Sequence, residues 1–399
     1  MTTYAQYITE SILARADIDR FLCDEPTWAQ FDPEVGYVLG NYMPRDGLDG
    51  SITISTSQPN GARRSVIYAD RPRRINTYGN SFTQCHQVSD EETWQEYLAA
   101  HLGEPVGNFG MGGFGVYQSY RRMIRTESSP EGGRYVMLYV WGDDHIRSCL
   151  RCRHVLTSRW WNHVGGAMFH GNFWANVEMD LATGRFVEKE SLLPTPESLY
   201  KMADAKWMIE ALADDYMLWL SLFCYNQIDD LDLAPVNRLA EILGCPPIAA
   251  SAALDEQRIA ADVIRMAYGF AATEYILEKA VAFAAARDKK LLLILLCPTA
   301  TRQMLEGGRR HDQRVADYIA ARGWPCFDMN LVHVEDFKSF RPDVSAYLGR
   351  YFIGHYSPAG NHFFAMSIRR TVVDWLDPKP ITYGDDSQAR IGFQGYLPS

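Results

Sequence analysis

The spacing of apolar residues changes several times along the chain, and each change marks a predicted element. Helical spacing runs through residues 4–22, and apolar and polar residues then alternate through "SITISTSQPNGARRSVIYAD" at 51–70. Asn60 and Gly61 lie in the middle of that alternation and are a strong signal for a β-hairpin. The first 70 residues therefore predict an arm made of a helix and a β-hairpin.

Short apolar runs follow this arm and alternate with amphipathic stretches. Runs that are apolar on both faces are typical of strands in a parallel sheet that helices cover. We expect strands in "RRINTYGNS", "EPVGN", "RYVMLYVWG", "LLLILLC" and "PCFDMN", and helices at 90–102, from 116 onward, and at 255–287, 309–322 and 359–376. The pattern predicts an α/β fold with a doubly wound, mostly parallel sheet and helices on both faces.

The alternation of strands and helices is lost between the two halves of this pattern. "FWANVEMDLATGRFVEKES" predicts a β-hairpin that turns at 182–184, and the segment after it has helical spacing. This part predicts a mixed α+β insertion or cap. The predicted domains are an N-terminal helix and hairpin arm at 1–70, the first half of the core at 71–150, the insertion at 151–255, and the second half of the core with a C-terminal tail at 256–399.

Composition and charge narrow the class of protein. The 399 residues are 47% apolar and 22% charged, which indicates a globular protein with a large core. The net charge of −10 opposes a nucleic-acid partner, because the phosphate backbone is also negative. The N-terminus lacks the layout of a secretory signal, no apolar run approaches the roughly 20 residues of a membrane span, and the eight cysteines are scattered. We expect a cytoplasmic protein without a membrane span, and leave open whether it is a homo-oligomer.

Polar or glycine-rich loops follow three of the predicted strands, and a fourth candidate segment opens the last helix. These segments are Gly79-Asn80-Ser81, "NFGMGGFG" at 108–115, Gly142-Asp143-Asp144-His145, and "GHYSPAGNHFFA" at 354–365. Ligands of α/β sheets bind beyond the carboxyl ends of the strands, where such loops meet. A serine, a histidine and a glycine loop could supply the nucleophile, the base and the backbone oxyanion donors of acyl transfer.

In this order, the four segments resemble the four sequence blocks of the SGNH (GDSL-like) hydrolase superfamily of lipases and esterases. The resemblance implies a three-layer, flavodoxin-like core, with Ser81 as nucleophile and His355 as base. It also implies that the N–H groups of Ser81 and Gly113 hold the oxyanion and that no metal or other cofactor is required. The predicted arm before the serine resembles bacterial members linked to polysaccharide modification, so we expect a small-molecule or carbohydrate acyl ester as substrate.

The residues beside the serine and in the third block depart from the family pattern. The family usually has aspartate before its serine and asparagine in the third block, whereas here Asn80 precedes the serine and Asp143 stands in the asparagine position. An ionised Asp143 would repel an oxyanion, and loss of one oxyanion donor costs about 100- to 1,000-fold in rate. Either Asp143 is protonated at rest, or Asn80 and Asp143 contact each other with their roles exchanged. We favour the second explanation for the structure.

The acid that usually orients the histidine is also missing from its expected place. Phe352 and Ile353 occupy the positions two and three residues before His355. Either the serine and histidine act as a dyad with a backbone carbonyl holding the imidazole, or a distant carboxylate such as Asp336 or Asp343 takes the role.

Each candidate also has an ordinary structural interpretation. Ser81 could cap the helix that follows it, and His355 could cap the last helix. Two further groups of residues also have two interpretations each. One group forms either a zinc site or a reduced cysteine pair: His145, Cys149, Cys152 and His154. The other forms either a sugar or acyl pocket or the core of the insertion: Trp160, Trp161, Phe169, Phe173 and Trp174. In both cases we favour the structural interpretation and predict no metal.

The sequence therefore predicts a serine esterase that cleaves short acyl esters, such as O-acetyl esters. The alternatives are a non-catalytic or repurposed carbohydrate-binding or scaffold protein on the same fold, or an O-acyltransferase that passes the acyl group to a hydroxyl instead of water.

Overall fold

A computed structural model describes residues 2–23, 27–142, 144–159, 172–340 and 343–384. The strands are β1 Ala29–Asp32, β2 Gly36–Leu39, β3 Ile75–Tyr78, β4 Val106–Asn108, β5 Tyr135–Val140, β6 Asn176–Asp180, β7 Arg185–Lys189, β8 Lys290–Leu295 and β9 Cys326–Asp328. The helices are α1 Tyr4–Glu10, α2 Arg15–Leu22, α3 Ser81–Gln84, α4 Trp94–Leu102, α5 Val116–Glu127, α6 Asp144–Arg147, α7 Arg153–Thr157, α8 Ala205–Ala211, α9 Tyr216–Cys224, α10 Leu233–Leu243, α11 Leu254–Ala286, α12 Pro298–Leu305, α13 Gln313–Ala321, α14 Met329–Phe340, α15 Val344–Tyr351 and α16 Pro358–Trp375.

Five parallel strands form the central sheet in the order β4-β3-β5-β8-β9. The chain moves outward from β3 to β4, then returns past β3 to β5 and continues in the other direction. The strand order therefore reverses between β3 and β5, and a crevice at the carboxyl ends of these two strands is the usual ligand site of such sheets.

Both faces of the sheet are covered, as the apolar runs predicted. Within β5, Tyr135, Met137 and Tyr139 belong to one buried apolar cluster, whereas Val136 and Leu138 belong to the other. The first cluster contains side chains of α4 and α16, and the second contains side chains of α5 and α11. The prediction of an α/β fold with a parallel sheet is confirmed.

The predictions for the first 70 residues hold in part. The helix expected at 4–22 is two helices, α1 and α2, because Ser11 ends the first and the N–H of Leu13 donates to Met202 O at 3.1 Å. The segment 51–70 turns at Asn60 and Gly61 as predicted, and its two sides bond to each other: Arg64 N donates to Thr56 O at 2.9 Å. The pairing is limited to one antiparallel bridge, Ser57 with Arg63, because Arg63 N donates instead to Asn108 O at 2.9 Å. The extended strands of this region are β1 and β2.

Within 151–255, the predicted hairpin is confirmed as β6 and β7, and its turn ends at Gly184 with φ of 67°. The described helices of this part are α7, α8, α9 and α10, together with a 3₁₀ helix at Glu197–Ala203. Sequence spacing did not separate α8 from α9, and it missed α10, α12, α14 and α15.

The described chain contains no helix with both the length and the apolar character needed to cross a membrane. The eight cysteines are all described, and all are free thiols.

Candidate active site

Ser81 stands at the first position of α3, directly beyond the carboxyl end of β3. The cap of this short helix is Asn80, whose Oδ1 accepts a hydrogen bond from the N–H of Phe82 at 2.9 Å. The interpretation of Ser81 as the helix cap is therefore wrong. Because Asn80 does the capping, the hydroxyl of Ser81 is left for another contact.

That contact is with His355, in the loop between α15 and α16. Ser81 Oγ and His355 Nε2 are 2.7 Å apart, although the two residues are 274 positions apart in sequence. The cap of α16 is Ser357, whose Oγ accepts from Gly360 N at 3.2 Å, so the capping interpretation of His355 is also wrong. The structure brings the predicted nucleophile and the predicted base into hydrogen-bond contact.

Gln87 holds the other side of the imidazole. Its Oε1 lies 2.8 Å from the backbone N of His355 and 3.0 Å from Nδ1 of the same residue. A backbone N–H can only donate, so the atom that meets it must be the amide oxygen, and Nδ1 must then carry a proton to donate to that oxygen. This tautomer leaves the lone pair of Nε2 free to accept the hydroxyl proton of Ser81.

Gly354 makes room for this amide. Its φ of 114° lies in the region that favours glycine, and a Cβ there would lie 2.8 Å from Gln87 Oε1. Gln87 itself has a φ of 72°, a conformation that few side chains other than Asn and Asp adopt readily.

The carboxylates expected to orient the histidine are engaged elsewhere. Asp336 Oδ2 accepts from the hydroxyls of Tyr347 and Tyr351 at 3.0 and 2.9 Å. Asp343 caps α15 by accepting from Ala346 N at 2.9 Å. Neither bonds to His355 within the described chain, so the imidazole has a neutral partner where a triad normally has an acid.

The surroundings of His355 favour its neutral form. Burial is the largest cause that lowers the pKa of His355 well below its ordinary value, and the nearby His86 and Arg147 lower it further, while Asp46 opposes them. A base must be neutral to take a proton, so this shift favours the competent form at neutral pH.

The glycine loop after β4 is tied to the serine helix. Gly112 N donates to the side chain of Gln84 at 2.7 Å, and Met111 N donates to Gly79 O at 2.9 Å. Gly113 has a φ of 84°, and neither its N–H nor that of Ser81 has a hydrogen-bond partner among the described residues. Two free backbone N–H groups on adjoining loops are what an oxyanion hole requires.

Asn80 pairs with a carboxylate, although it is not the one we predicted. Its Nδ2 lies 2.9 and 3.1 Å from the two carboxylate oxygens of Asp144, which is fully buried. Asp144 Oδ2 also accepts from Trp141 N at 3.0 Å, and Oδ1 from Arg147 Nη1 at 3.2 Å. The predicted partner, Asp143, lies outside the described residues. The contact predicted between Asn80 and Asp143 therefore stays a prediction, and the structure adds a contact between Asn80 and the next residue, Asp144.

The four residues of the zinc alternative do not converge. His145 Nδ1 bonds to Thr273 Oγ1 at 2.8 Å, and His154 Nε2 bonds to Ser11 O at 2.8 Å. Within the described part of the chain, no group of three or more histidine, cysteine, aspartate or glutamate side chains could hold a metal ion.

The described aromatics of the insertion belong to its core. Phe173 and Trp174 are both 1% exposed, and the indole N–H of Trp174 donates to Leu150 O at 2.6 Å. Trp160, Trp161 and Phe169 lie outside the described residues.

Sequence reasoning missed Gln87, which contacts His355, and Asp46, whose charge acts on it. Gln87 lies six residues after the serine, and Asp46 lies in the N-terminal region, so neither is near the histidine in sequence. A polar pair, His86 and Gln87, directly after "YGNSFTQC" was the one signal available.

No model of a known protein family matches the chain, and no curated protein sequence matches it. Function must therefore be argued from the site.

Proposed function

We propose that the protein is a serine esterase that cleaves short acyl esters, with Ser81 as nucleophile and His355 as general base. The observation that carries the proposal is the 2.7 Å contact between Ser81 Oγ and His355 Nε2, with Gln87 Oε1 on the opposite ring nitrogen. This chain of contacts fixes the tautomer in which the imidazole can take the hydroxyl proton.

In the first half of the reaction, Ser81 Oγ attacks the ester carbonyl while its proton passes to His355 Nε2. Negative charge develops on the former carbonyl oxygen, and the N–H groups of Ser81 and Gly113 hold it. The carbon–oxygen bond to the leaving alcohol then breaks, and the imidazolium returns the proton to that alcohol.

In the second half, His355 takes a proton from a water molecule, which attacks the acyl-enzyme. As the second tetrahedral intermediate collapses, the bond between the acyl carbon and Ser81 Oγ breaks, the imidazolium returns its proton to Oγ, and the carboxylic acid is released. A sugar hydroxyl in place of water would make the same site an O-acyltransferase. No metal or organic cofactor takes part in either version.

The architecture supports placement among SGNH-like hydrolases. Ser81, the glycine loop and Asp144 follow three neighbouring parallel strands, β3, β4 and β5, at the edge where the strand order reverses. His355 reaches the same edge from the loop before the last long helix. We propose an O-acetyl or similar ester on a carbohydrate or small molecule as substrate, and a cytoplasmic location.

One observation favours a second candidate, a binding or scaffold protein that has lost the chemistry. Gln87 is neutral, so it cannot stabilise the imidazolium by charge as an aspartate does. The esterase remains our preferred proposal because the amide still fixes the tautomer and because the serine is not used as a helix cap.

A substrate panel separates the two candidates. Purified protein would be assayed with p-nitrophenyl esters of two to eight acyl carbons and with acetylated sugars, alongside Ser81→Ala and a control, Ser128→Ala, at an exposed serine. The esterase predicts turnover that Ser81→Ala abolishes and the control retains. Equal background turnover in all three proteins would support the binding protein.

A further inference from the structure

Residues 42–55 form an irregular hairpin beside the base, which we call the flap. Tyr42 and Ser55 exchange backbone hydrogen bonds of 2.8 and 2.9 Å, and Thr53 N donates to Pro44 O at 3.0 Å. In this antiparallel register, side chains alternate between the two faces of the flap. The segment connects β2 with the chain that leads into β3.

The two faces of the flap differ in chemistry. The inward face carries Tyr42, Pro44, Asp46, Thr53 and Ser55, which line a small cavity against residues 84–88. The outward face carries apolar side chains that are largely exposed: Met43 at 67%, Ile52 at 49% and Ile54 at 46%. The inward, polar face therefore lies against the loop that follows the catalytic serine helix.

Asp46 makes three contacts from this inward face. Its Oδ2 lies 2.9 Å from His86 Nε2, and its Oδ1 accepts from Thr53 Oγ1 at 2.7 Å. Its main-chain oxygen accepts from Gln87 Nε2 at 3.0 Å. Burial raises the pKa of Asp46, but the hydrogen bonds from His86 and Thr53 outweigh that effect, so its pKa lies below its ordinary value. An ionised carboxylate only accepts, so His86 Nε2 is the donor.

Two of these three partners, His86 and Gln87, touch His355. The ring of His86 stacks on that of His355, with centroids 5.0 Å apart and planes 11° apart, and Trp28 lies beyond His86 at 5.8 Å. Gln87 holds the same imidazole in its plane through Nδ1. Asp46 thus supports His355 in two ways, through the ring of His86 and through the amide of Gln87.

We propose that Asp46 is a positioning residue for the base, and that the flap supplies through His86 and Gln87 the support that a triad acid gives directly. This inference rests on the proposed function. It explains how a site with a neutral amide on the imidazole retains a fixed tautomer, because that amide is itself held by the main chain of Asp46. The carboxylate also supplies negative charge near the ring.

The charged and titratable groups around His355 decide in which direction its pKa moves when Asp46 is replaced. His86 and Arg147 favour its neutral form, Asp46 favours its protonated form, and Ser81 and Gln87 contribute no formal charge. Removing the charge of Asp46 should therefore lower the pKa of His355 further. It should also release His86, whose Nε2 would lose its anionic partner.

The test compares Asp46→Asn with Asp49→Asn, an exposed aspartate of the same flap whose φ of 55° suits asparagine. A fluorophosphonate probe would measure the reactivity of Ser81 between pH 4 and 9. We expect Asp46→Asn to label at least about tenfold more slowly than Asp49→Asn, with its acid midpoint at lower pH. Thr53→Val, which removes one hydrogen bond to Asp46 and keeps its charge, should slow labelling in the same direction by less.

A second readout does not depend on the reaction. Nitrogen NMR of ¹⁵N-histidine protein, with the His355 signals assigned by His355→Gln, reports which ring nitrogen carries the proton. We expect Nδ1–H in all three proteins, because the main chain of residue 46 still holds Gln87, whereas the pH at which the His355 ring takes its second proton should be lower in Asp46→Asn than in Asp49→Asn. If the parent is not labelled, the proposed esterase fails, but this protonation midpoint still tests the role of Asp46. The inference is overturned if Asp46→Asn keeps the labelling rate and the protonation midpoint of the parent or, should that variant not fold, if Thr53→Val keeps the labelling rate of the parent.

Discussion

The side-chain amide of Asn80 donates to both carboxylate oxygens of Asp144, at 2.9 and 3.1 Å, across the point where the strand order of the sheet reverses. This contact joins the loop after β3 to the start of α6 after β5. The same Asn80 caps α3 through its Oδ1. One side chain therefore orients the serine helix and binds it to the neighbouring strand.

We predict that the double variant, in which Asn80 and Asp144 are exchanged, loses less stability than either single variant. Asn80→Asp keeps a good helix cap but places two carboxylates together, and should reduce the free energy of unfolding by about 2–4 kcal/mol. Asp144→Asn leaves two amides face to face and weakens the contact with Arg147. In the double variant an amide again faces a carboxylate, so the coupling free energy should be about 1–3 kcal/mol.

Urea unfolding of the four proteins measures this coupling, and Asp70→Asn, at an exposed aspartate, serves as the control. Additive losses in the double variant would show that the two side chains do not act as a pair.

The amide of Gln87 should set both the rate and the pH dependence of the serine. Gln87→Leu removes the acceptor for Nδ1–H, so we expect fluorophosphonate labelling of Ser81 to fall about 10- to 100-fold. Gln87→Glu places a carboxylate on the same nitrogen, which favours the imidazolium, so the acid limb of the labelling profile should move to higher pH. If both variants keep the labelling rate and the pH dependence of the parent, the proposed role of Gln87 is contradicted.

Gly354 should be sensitive to a single added methyl group. In Gly354→Ala the new Cβ would meet Gln87 Oε1 at 2.8 Å, and the φ of 114° would be strained for alanine. We expect slower labelling of Ser81 and a lower melting temperature. Gly349→Ala is the matched control five residues away in α15, where a Cβ meets nothing within 4 Å. If the two variants label at the same rate and melt at the same temperature, Gln87 does not need this space.

The unusual environment of His355 predicts a wide pH range for the nucleophile. Because burial and nearby positive groups lower the pKa of His355 well below its ordinary value of about 6.5, the base stays neutral as the pH falls through that value. Labelling of Ser81 should therefore be nearly constant between about pH 8 and pH 6 and decline only in more acidic solution. A half-maximal rate near pH 6.5 would indicate an ordinary, solvated histidine.

The sequence predicted the parts of this molecule that depend on local pattern. Apolar runs such as "YVMLYV" identified the core strands, and glycines and polar residues after them located the loops at the site. It did not predict contacts that depend on the path of the chain between elements. Asp46 reaches Gln87 only because the flap folds back over the serine loop, and Asp144 reaches Asn80 only because β3 and β5 are neighbours in the sheet. The alternation at 51–70 located the turn at Gly61 but overestimated the pairing around it, since Arg63 N bonds to Asn108 O in the core.

The measurement that tests the central claim most directly is the site and rate of fluorophosphonate modification. The probe reacts with serine hydroxyls that a base has activated, and mass spectrometry of peptides locates the adduct. We predict one adduct, on Ser81, that forms at least about 100-fold more slowly in His355→Gln while His362→Gln, at an exposed histidine of α16, labels like the parent. Failure of the folded parent to label at Ser81, or equal labelling in His355→Gln, would contradict the account.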